Sequence, residues 1–237
     1  MNAKARWVSV APMVSAPGPS MIRFSLAMLV AANMLPLLGV LFFGWSVFQV
    51  MALFWLENVI IGAWNVPRMA TQLLRGQWGA LFLIPFFTVH YGLFCAIHGL
   101  FVMGIFGHDQ PIPGGKIEAS PLAAFTLMGR LIEADPALWW AAAGMIASHG
   151  VSFLVNFLGS GEWKRVDAGT LMFAPYRRVV VLHFTILAGA GAIALLGAPV
   201  WGLVVLVIIK TVVDAAGHLA ERKRLAGGAQ PSGPVAP

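Results

Sequence analysis

The sequence predicts an all-α polytopic integral membrane protein: a six-transmembrane-helix bundle with both termini cytoplasmic. Three observations lead there. Of the 237 residues, 59% are hydrophobic and 10% charged, where a soluble domain has about a quarter of its residues charged, and the mean hydropathy is +0.83. The apolar residues fall in runs of about twenty or more, which only a bilayer accommodates as solvent. Lys and Arg gather in alternate connecting loops, the pattern of the positive-inside rule. These features exclude a water-soluble enzyme carrying a peripheral anchor.

The elements follow in order. Residues 1–22 carry Lys4 and Arg6, then Pro12, Pro17, Gly18 and Pro19, and are expected to be a flexible cytoplasmic arm. A cleaved leader is the weaker alternative, because the apolar piece from Trp7 to Met13 is short and broken and no small-x-small site follows it. The transmembrane domain is expected over residues 23–224. Residues 24–66 hold one acid, Glu57, and no base, enough for two crossings at about 20 residues each, turning at Gly44-Trp45-Ser46. Pro67, Arg68 and Arg75 mark a short polar loop. Residues 80–106 form the third span, with Pro85 near its start. Residues 107–136 hold Pro111, Pro113, Gly114, Gly115, Pro121 and Pro136 together with Asp109, Glu118, Glu133 and Asp135, a long external loop with a short surface helix near 122–132. Residues 137–158 make the fourth span, 159–177 a loop with Lys164 and Arg165, and 178–196 the fifth span. Gly197-Ala198-Pro199 is a minimal turn. The sixth span runs from Val200 to about Ala220, is stopped by Arg222, Lys223 and Arg224, and gives way to a disordered tail over 225–237.

Orientation comes from the basic residues. Lys4, Arg6, Arg23, Arg68, Arg75, Lys164, Arg165, Arg177, Arg178, Arg222, Lys223 and Arg224 fall on one side and only Lys116 and Arg130 on the other, so the first side is cytoplasmic. Trp45, Trp139, Trp140 and Trp201 then fall at the outer boundary, and Trp64, Trp78 and Trp163 near the inner one, as belt aromatics do. No basic helix is interleaved with exposed aromatics, which argues against nucleic acid. The single cysteine, Cys95, excludes an intrachain disulfide and any thiolate-rich metal site.

The informative residues are polar ones at membrane depth: Glu57 and Asn58 in the second span, His90 and His98 in the third, Ser148, His149, Ser152 and Asn156 in the fourth, His183 in the fifth, and Lys210, Asp214 and His218 in the sixth. An ionisable group at the bilayer centre costs about 2.5–3.5 kcal/mol on insertion scales, so these must face inward. Spacing agrees, since His149, Ser152 and Asn156, His90 and His98, Asn58 and Asn65, and Lys210, Asp214 and His218 each share one stripe of a helix. Counting about 1.5 Å per residue from the span ends puts Glu57, His90, His149 and Lys210 near the midplane, His183, Asp214 and His218 toward the cytoplasm and His98 toward the outside. Plainer readings stand beside this. His98 and Asn65 read as interhelical hydrogen-bonding residues, and Ser148 and Ser152 as small residues permitting close helix approach. Lys210 with Asp214 reads as an i, i+4 ion pair.

The strings Phe54-Trp55-Leu56-Glu57-Asn58, His90-Tyr91-Gly92 with His98-Gly99, Ser148-His149-Gly150-Val151-Ser152-Phe153, Gly161-Glu162-Trp163, Pro175-Tyr176-Arg177-Arg178, and Lys210-Thr211 with Asp214 and His218 together resemble a family of uncharacterised bacterial multi-pass membrane proteins, a domain of unknown function. The resemblance covers roughly residues 24–224. It implies an integral membrane protein and brings no activity with it; the expected location is the bacterial inner membrane.

Several functions compete on these residues. A metal-dependent intramembrane hydrolase would bind zinc or another divalent metal through His90, His149, His183 and His218, with Glu57, Asp214 and Lys210 as catalytic groups acting on a lipid or small-molecule substrate. No HExxH or HxxEH string is present, and Lys210 would repel a cation unless a carboxylate offset it. A proton- or ion-coupled transporter is the alternative, since a Glu, Asp, His and Lys chain is also how a proton relay is built. Bis-histidine haem on His90 and His149 is disfavoured by Glu57 and Lys210 at the same depth. A rhomboid-type protease is excluded by the lack of Gly-x-Ser-Gly. A structural membrane protein, with a polar core that only fixes packing, is the last.

Overall fold

The computed structural model describes residues 38–42, 44–107, 110–118, 120 and 122–176, with residues 179–180, 183–184, 187–189, 191, 204, 207–208 and 211–212 beyond them. Residues 33–210 form one compact unit. Residues 1–32 with 211–237 form another, in which only Thr211 and Val212 are described. The account below concerns the first unit. The expected amino-terminal arm, first span and carboxyl-terminal tail, together with most of the fifth and sixth spans, lie outside the described residues.

Every regular element among the described residues is helical. In order they are α1 (Val47–Ala70), extended by a 3-10 turn over Thr71–Arg75; α2 (Ala80–Phe106); α3 (Ala123–Ala134); α4 (Pro136–Val151), continued as a π-helix over Ser152–Gly159; a 3-10 turn at Glu162–Lys164; and α5 (Ala168–Phe173). Three of these stretches, Val47–Arg75, Ala80–Phe106 and Pro136–Gly159, are long and apolar enough to cross a membrane. They correspond to the second, third and fourth spans read from the sequence, and α3 to the expected surface helix.

Local chemistry sets the boundaries. Gly44 adopts φ 71° at the predicted turn. Ser46 and Gln49 then form a capping box, with the Gln49 amide donating to Ser46 Oγ at 3.1 Å and the Ser46 amide to Gln49 Oε1 at 2.8 Å. Asp135 caps α4 through Ala137 N–H at 2.8 Å, with Pro136 entering the first turn. Pro67 does not end α1, contrary to the predicted loop there. The helix passes through it, buries Met69 and, in the following turn, Gln72, and stops at Gly76, whose φ of 73° terminates the 3-10 turn.

The packing follows a simple rule: a large ring on one helix stands over a glycine on another. A Cβ on Gly62 of α1 would lie 2.3 Å from the Tyr91 ring of α2, and one on Gly99 of α2 would lie 2.9 Å from Trp55 and 2.4 Å from Ala124 of α3. A Cβ on Gly107 would meet Phe48 at 2.7 Å, and one on Gly150 of α4 would meet Trp64 at 2.9 Å. These glycines let α1 approach α2 on one side and α4 on the other, the device by which membrane helices gain van der Waals contact without a hydrophobic driving force. Two buried hydrogen bonds pin the α1–α2 seam: Trp55 Nε1 to the Cys95 carbonyl at 2.7 Å and Tyr91 Oη to the Asn58 carbonyl at 3.0 Å. The outer faces remain apolar and exposed, with Phe82, Phe86, Val89, Leu93 and Phe101 on α2, Ile146 on α4 and Leu154 and Val155 on its π-helical continuation, the kind of surface a bilayer solvates.

The ends of the bundle separate cleanly. At one end Gln49 Nε2 donates to Asp135 Oδ2 at 2.9 Å, tying the starts of α1 and α4. At the other, Gln72 and Arg75 donate to the Trp163 carbonyl and Ala168 N–H donates to Gln77 Oε1 at 3.0 Å. The 67–79 and 159–177 segments therefore meet on one side, as the charge pattern expects.

The 159–177 segment is more than a loop. Asp167 caps α5 at that end, Leu171 and Met172 are buried, Asn65 Nδ2 donates to the Leu171 carbonyl at 2.8 Å, and Tyr176 reaches His90, about 15 Å along α2 from Ala80. The chain thus enters the bundle from Asp167, eleven positions before the predicted start of the fifth span at 178.

Candidate functional site

One face of α1 and two irregular segments converge on one cleft. On α1, Ile61, Trp64, Asn65 and Arg68 recur at i, i+3, i+4 and i+7 and line one wall. Ser148, His149 and Ser152 line the second, where α4 passes into the π-helix at Ser152, a helical defect that concentrates at functional sites. Ala174 and Pro175, just past the end of α5, close the third side. Broken helix at membrane depth is tolerated where it lines a polar cavity. The cleft has a volume of about 370 Å³, and Trp64, held over Gly150, forms its apolar edge. Arg68 also places its guanidinium over the Phe157 ring at 5.3 Å. Asn156, expected on the stripe of His149 and Ser152, is exposed and donates to Ser152 Oγ at 3.3 Å.

Against the other face of the bundle runs a row of rings. His90, Phe94 and His98 follow one another at i, i+4, i+8 on α2, each next to the last. His90 Nδ1 lies 2.7 Å from Tyr176 Oη, and His98 Nε2 lies 3.0 Å from His183 Nδ1. Both contacts advance in the same chain direction, with Tyr176 at His90 and His183 at His98. The protons of the second pair can be assigned. His98 Nδ1 is 2.8 Å from the Phe94 carbonyl, and a carbonyl only accepts, so Nδ1 bears the proton. Neutral His98 then has a bare Nε2, which accepts from His183 Nδ1–H, and His183 is left with its lone pair on Nε2. His98 is 4% exposed, and its reading as an interhelical hydrogen-bonding residue is what the structure contains. His98 and His183, expected on opposite sides of the midplane, lie within hydrogen-bond distance of each other.

A family of unknown function, DUF6498, matches residues 15–230 of the sequence. The chain belongs to it. No curated protein and no solved structure matches. In this DUF6498 chain, Glu57 is half-buried on α1, beside a buried Asn58 that donates to the Phe54 carbonyl at 2.8 Å. His149 lies in the cleft, His90 pairs with Tyr176 and His183 with His98. Lys210, Asp214 and His218 lie outside the described residues. Among the described residues no three His, Cys, Asp or Glu side chains gather as a metal site requires. The sequence reading missed Arg68, assigned to a loop, and the paired Tyr176. For Arg68 the signal was Pro67, which lies inside α1 without ending it. Ser148 and Ser152 face the cleft, and the close helix approach expected of them is made by Gly150.

Proposed function

We propose that this DUF6498 protein is a six-span protein of the inner membrane, with both termini cytoplasmic, that couples proton uptake at the His98–His183 pair to movement of a solute. The single observation that carries this is the hydrogen bond between the two rings, with its donor direction fixed by the Phe94 carbonyl. A proton arriving at His183 Nε2 makes an imidazolium whose Nδ1 proton can pass to His98 Nε2. The proton then stays with the pair until a change of conformation releases it on the other side of the membrane, with or without a solute. Intramembrane ionisable residues that hold and release a proton are what coupled transporters are built from.

A second reading keeps the metal. The open Nε2 of His183, with its other nitrogen engaged by His98, is how a zinc-ligating imidazole is commonly oriented. It supports His183 as one ligand of a zinc ion in an intramembrane hydrolase. One preparation separates the two. In proteoliposomes with an internal pH dye, an imposed pH gradient should collapse faster than in empty vesicles, and His183→Ala should abolish the difference. Equal rates in wild-type and empty vesicles sink the coupled reading. Stoichiometric zinc that disappears in His183→Ala would favour the hydrolase.

A further inference from the structure

The end of the bundle where the 67–79 and 159–177 segments meet gathers cations that play no part in the histidine pair. Arg75 closes the 3-10 turn after α1, and its Nη1 donates to Gln72 Oε1 at 2.9 Å, to the Trp163 carbonyl at 3.2 Å and to the Val166 carbonyl. Those two carbonyls bracket Lys164 and Arg165, so the guanidinium is set against the stretch that carries both. Lys164 places its Nζ 5.4 Å from the centroid of the Trp163 ring, a contact that holds an ammonium without neutralising it. All three cations are exposed. Among the described residues, Arg75 hydrogen-bonds through Nη1 alone, which leaves the N–H groups of Nε and Nη2 for a guest.

The acids nearby are turned to other work. Asp167 gives both carboxylate oxygens to Thr170, Oδ1 to its amide at 2.9 Å and Oδ2 to its hydroxyl at 2.7 Å. Glu162 opens the second 3-10 turn, is exposed, and makes no ion pair with the three cations among the described residues. Like charges held together repel unless an anion joins them. Beside them Leu74 is 80% exposed and Trp78 70% exposed, an apolar border within three residues of Arg75. A small soluble anion leaves that border bare, whereas an amphiphile covers both halves. We propose that Arg75, Lys164 and Arg165 bind the headgroup phosphate of an anionic phospholipid, with its acyl chains against Leu74 and Trp78. Basic pockets at the ends of membrane helices recognise anionic headgroups in this way, and the free edge of the Arg75 guanidinium suits an oxyanion.

The experiment uses the full chain. Protein is released into neutral detergent from vesicles of equal phosphatidylcholine and phosphatidylglycerol, and the lipids it retains are counted by native mass spectrometry. Wild type should keep phosphatidylglycerol over phosphatidylcholine by about ten-fold or more, and the Lys164→Gln, Arg165→Gln double variant, which alters two exposed side chains, should bring the preference below about three-fold. Lys116→Gln removes an exposed cation from the 107–136 loop and should leave the preference unchanged. Glycerophosphoglycerol, the same headgroup without acyl chains, should not displace the bound lipid when added in excess. The proposal is overturned if wild type keeps the two lipids equally, if the double variant keeps them as wild type does, or if Lys116→Gln lowers the preference as far as the double variant. Displacement of the lipid by glycerophosphoglycerol would overturn it too, by assigning the cations to a soluble anion.

Discussion

Substituting Gly62 by Ala tests the ring-over-glycine packing where its geometry is tightest. The added Cβ would lie 2.3 Å from Tyr91 Cε1 and 2.7 Å from Cδ1, where carbon atoms rest at about 3.5–4.0 Å, so the ring must retreat by more than about 1 Å. Tyr91 is 3% exposed and packs among Phe87, Phe157 and Tyr176. Its hydroxyl donates to the Asn58 carbonyl at 3.0 Å. Over-packing of this kind costs about 1–3 kcal/mol, and losing the hydrogen bond adds about 1 kcal/mol, giving about 2–4 kcal/mol in all. Gly92 is the control: it sits one residue after Tyr91 on the same helix, with open space where its Cβ would be, so Gly92→Ala should be neutral or slightly stabilising through helix propensity. Reversible unfolding in mixed micelles, followed by circular dichroism, measures both. Removing the ring with Tyr91→Leu should then make Gly62→Ala nearly free, a coupling readable in a double-mutant cycle. Equal stability of Gly62→Ala and Gly92→Ala would refute the packing argument.

Two further outcomes follow from the helix ends. Gln49→Ala removes half of the α1 capping box and the bond to Asp135, and should cost about 1–2 kcal/mol in the same unfolding assay, while Gln49→Glu should cost more by setting a carboxylate against that of Asp135. Hydrogen bonds from the Thr170 hydroxyl and amide hold the Asp167 carboxyl below the usual carboxylate range. Its folded value is below its unfolded one, so the cap stabilises the protein above the unfolded value of about 3.9 and is lost as pH falls through the folded value. Melting temperature should therefore drop more steeply for wild type than for Asp167→Asn as pH is lowered through that acid range, and parallel curves would show that the cap contributes nothing.

The sequence made the apolar crossings legible because lipid imposes length and composition directly. The Gly44 turn, the 80–106 span and the surface helix at 123–134 all appeared from hydropathy and turn residues alone. What it hid were interruptions. Pro67 and Pro175 both look like ends of helices, yet α1 continues through the first, and the second breaks a segment that already lies within the bundle. Arg68 and Tyr176 were therefore read as loop residues. The family strings held a second ambiguity. Gly99, Gly150 and Trp55 lie in them beside the histidines, and in the structure these three serve close packing rather than chemistry. A motif at membrane depth mixes both demands, and only the contacts separate them.

The proton arrangement of the histidine pair tests the central claim most directly. Solid-state NMR of protein with 15N-labelled histidine in lipid bilayers, near neutral pH, reads each ring's tautomer and any coupling across an N–H···N bond. The account predicts that His98 and His183 both carry their proton on Nδ1, with coupling from His183 Nδ1 to His98 Nε2 that vanishes in His183→Ala. Protons on Nε2 in both rings, or no coupling between them, would contradict it.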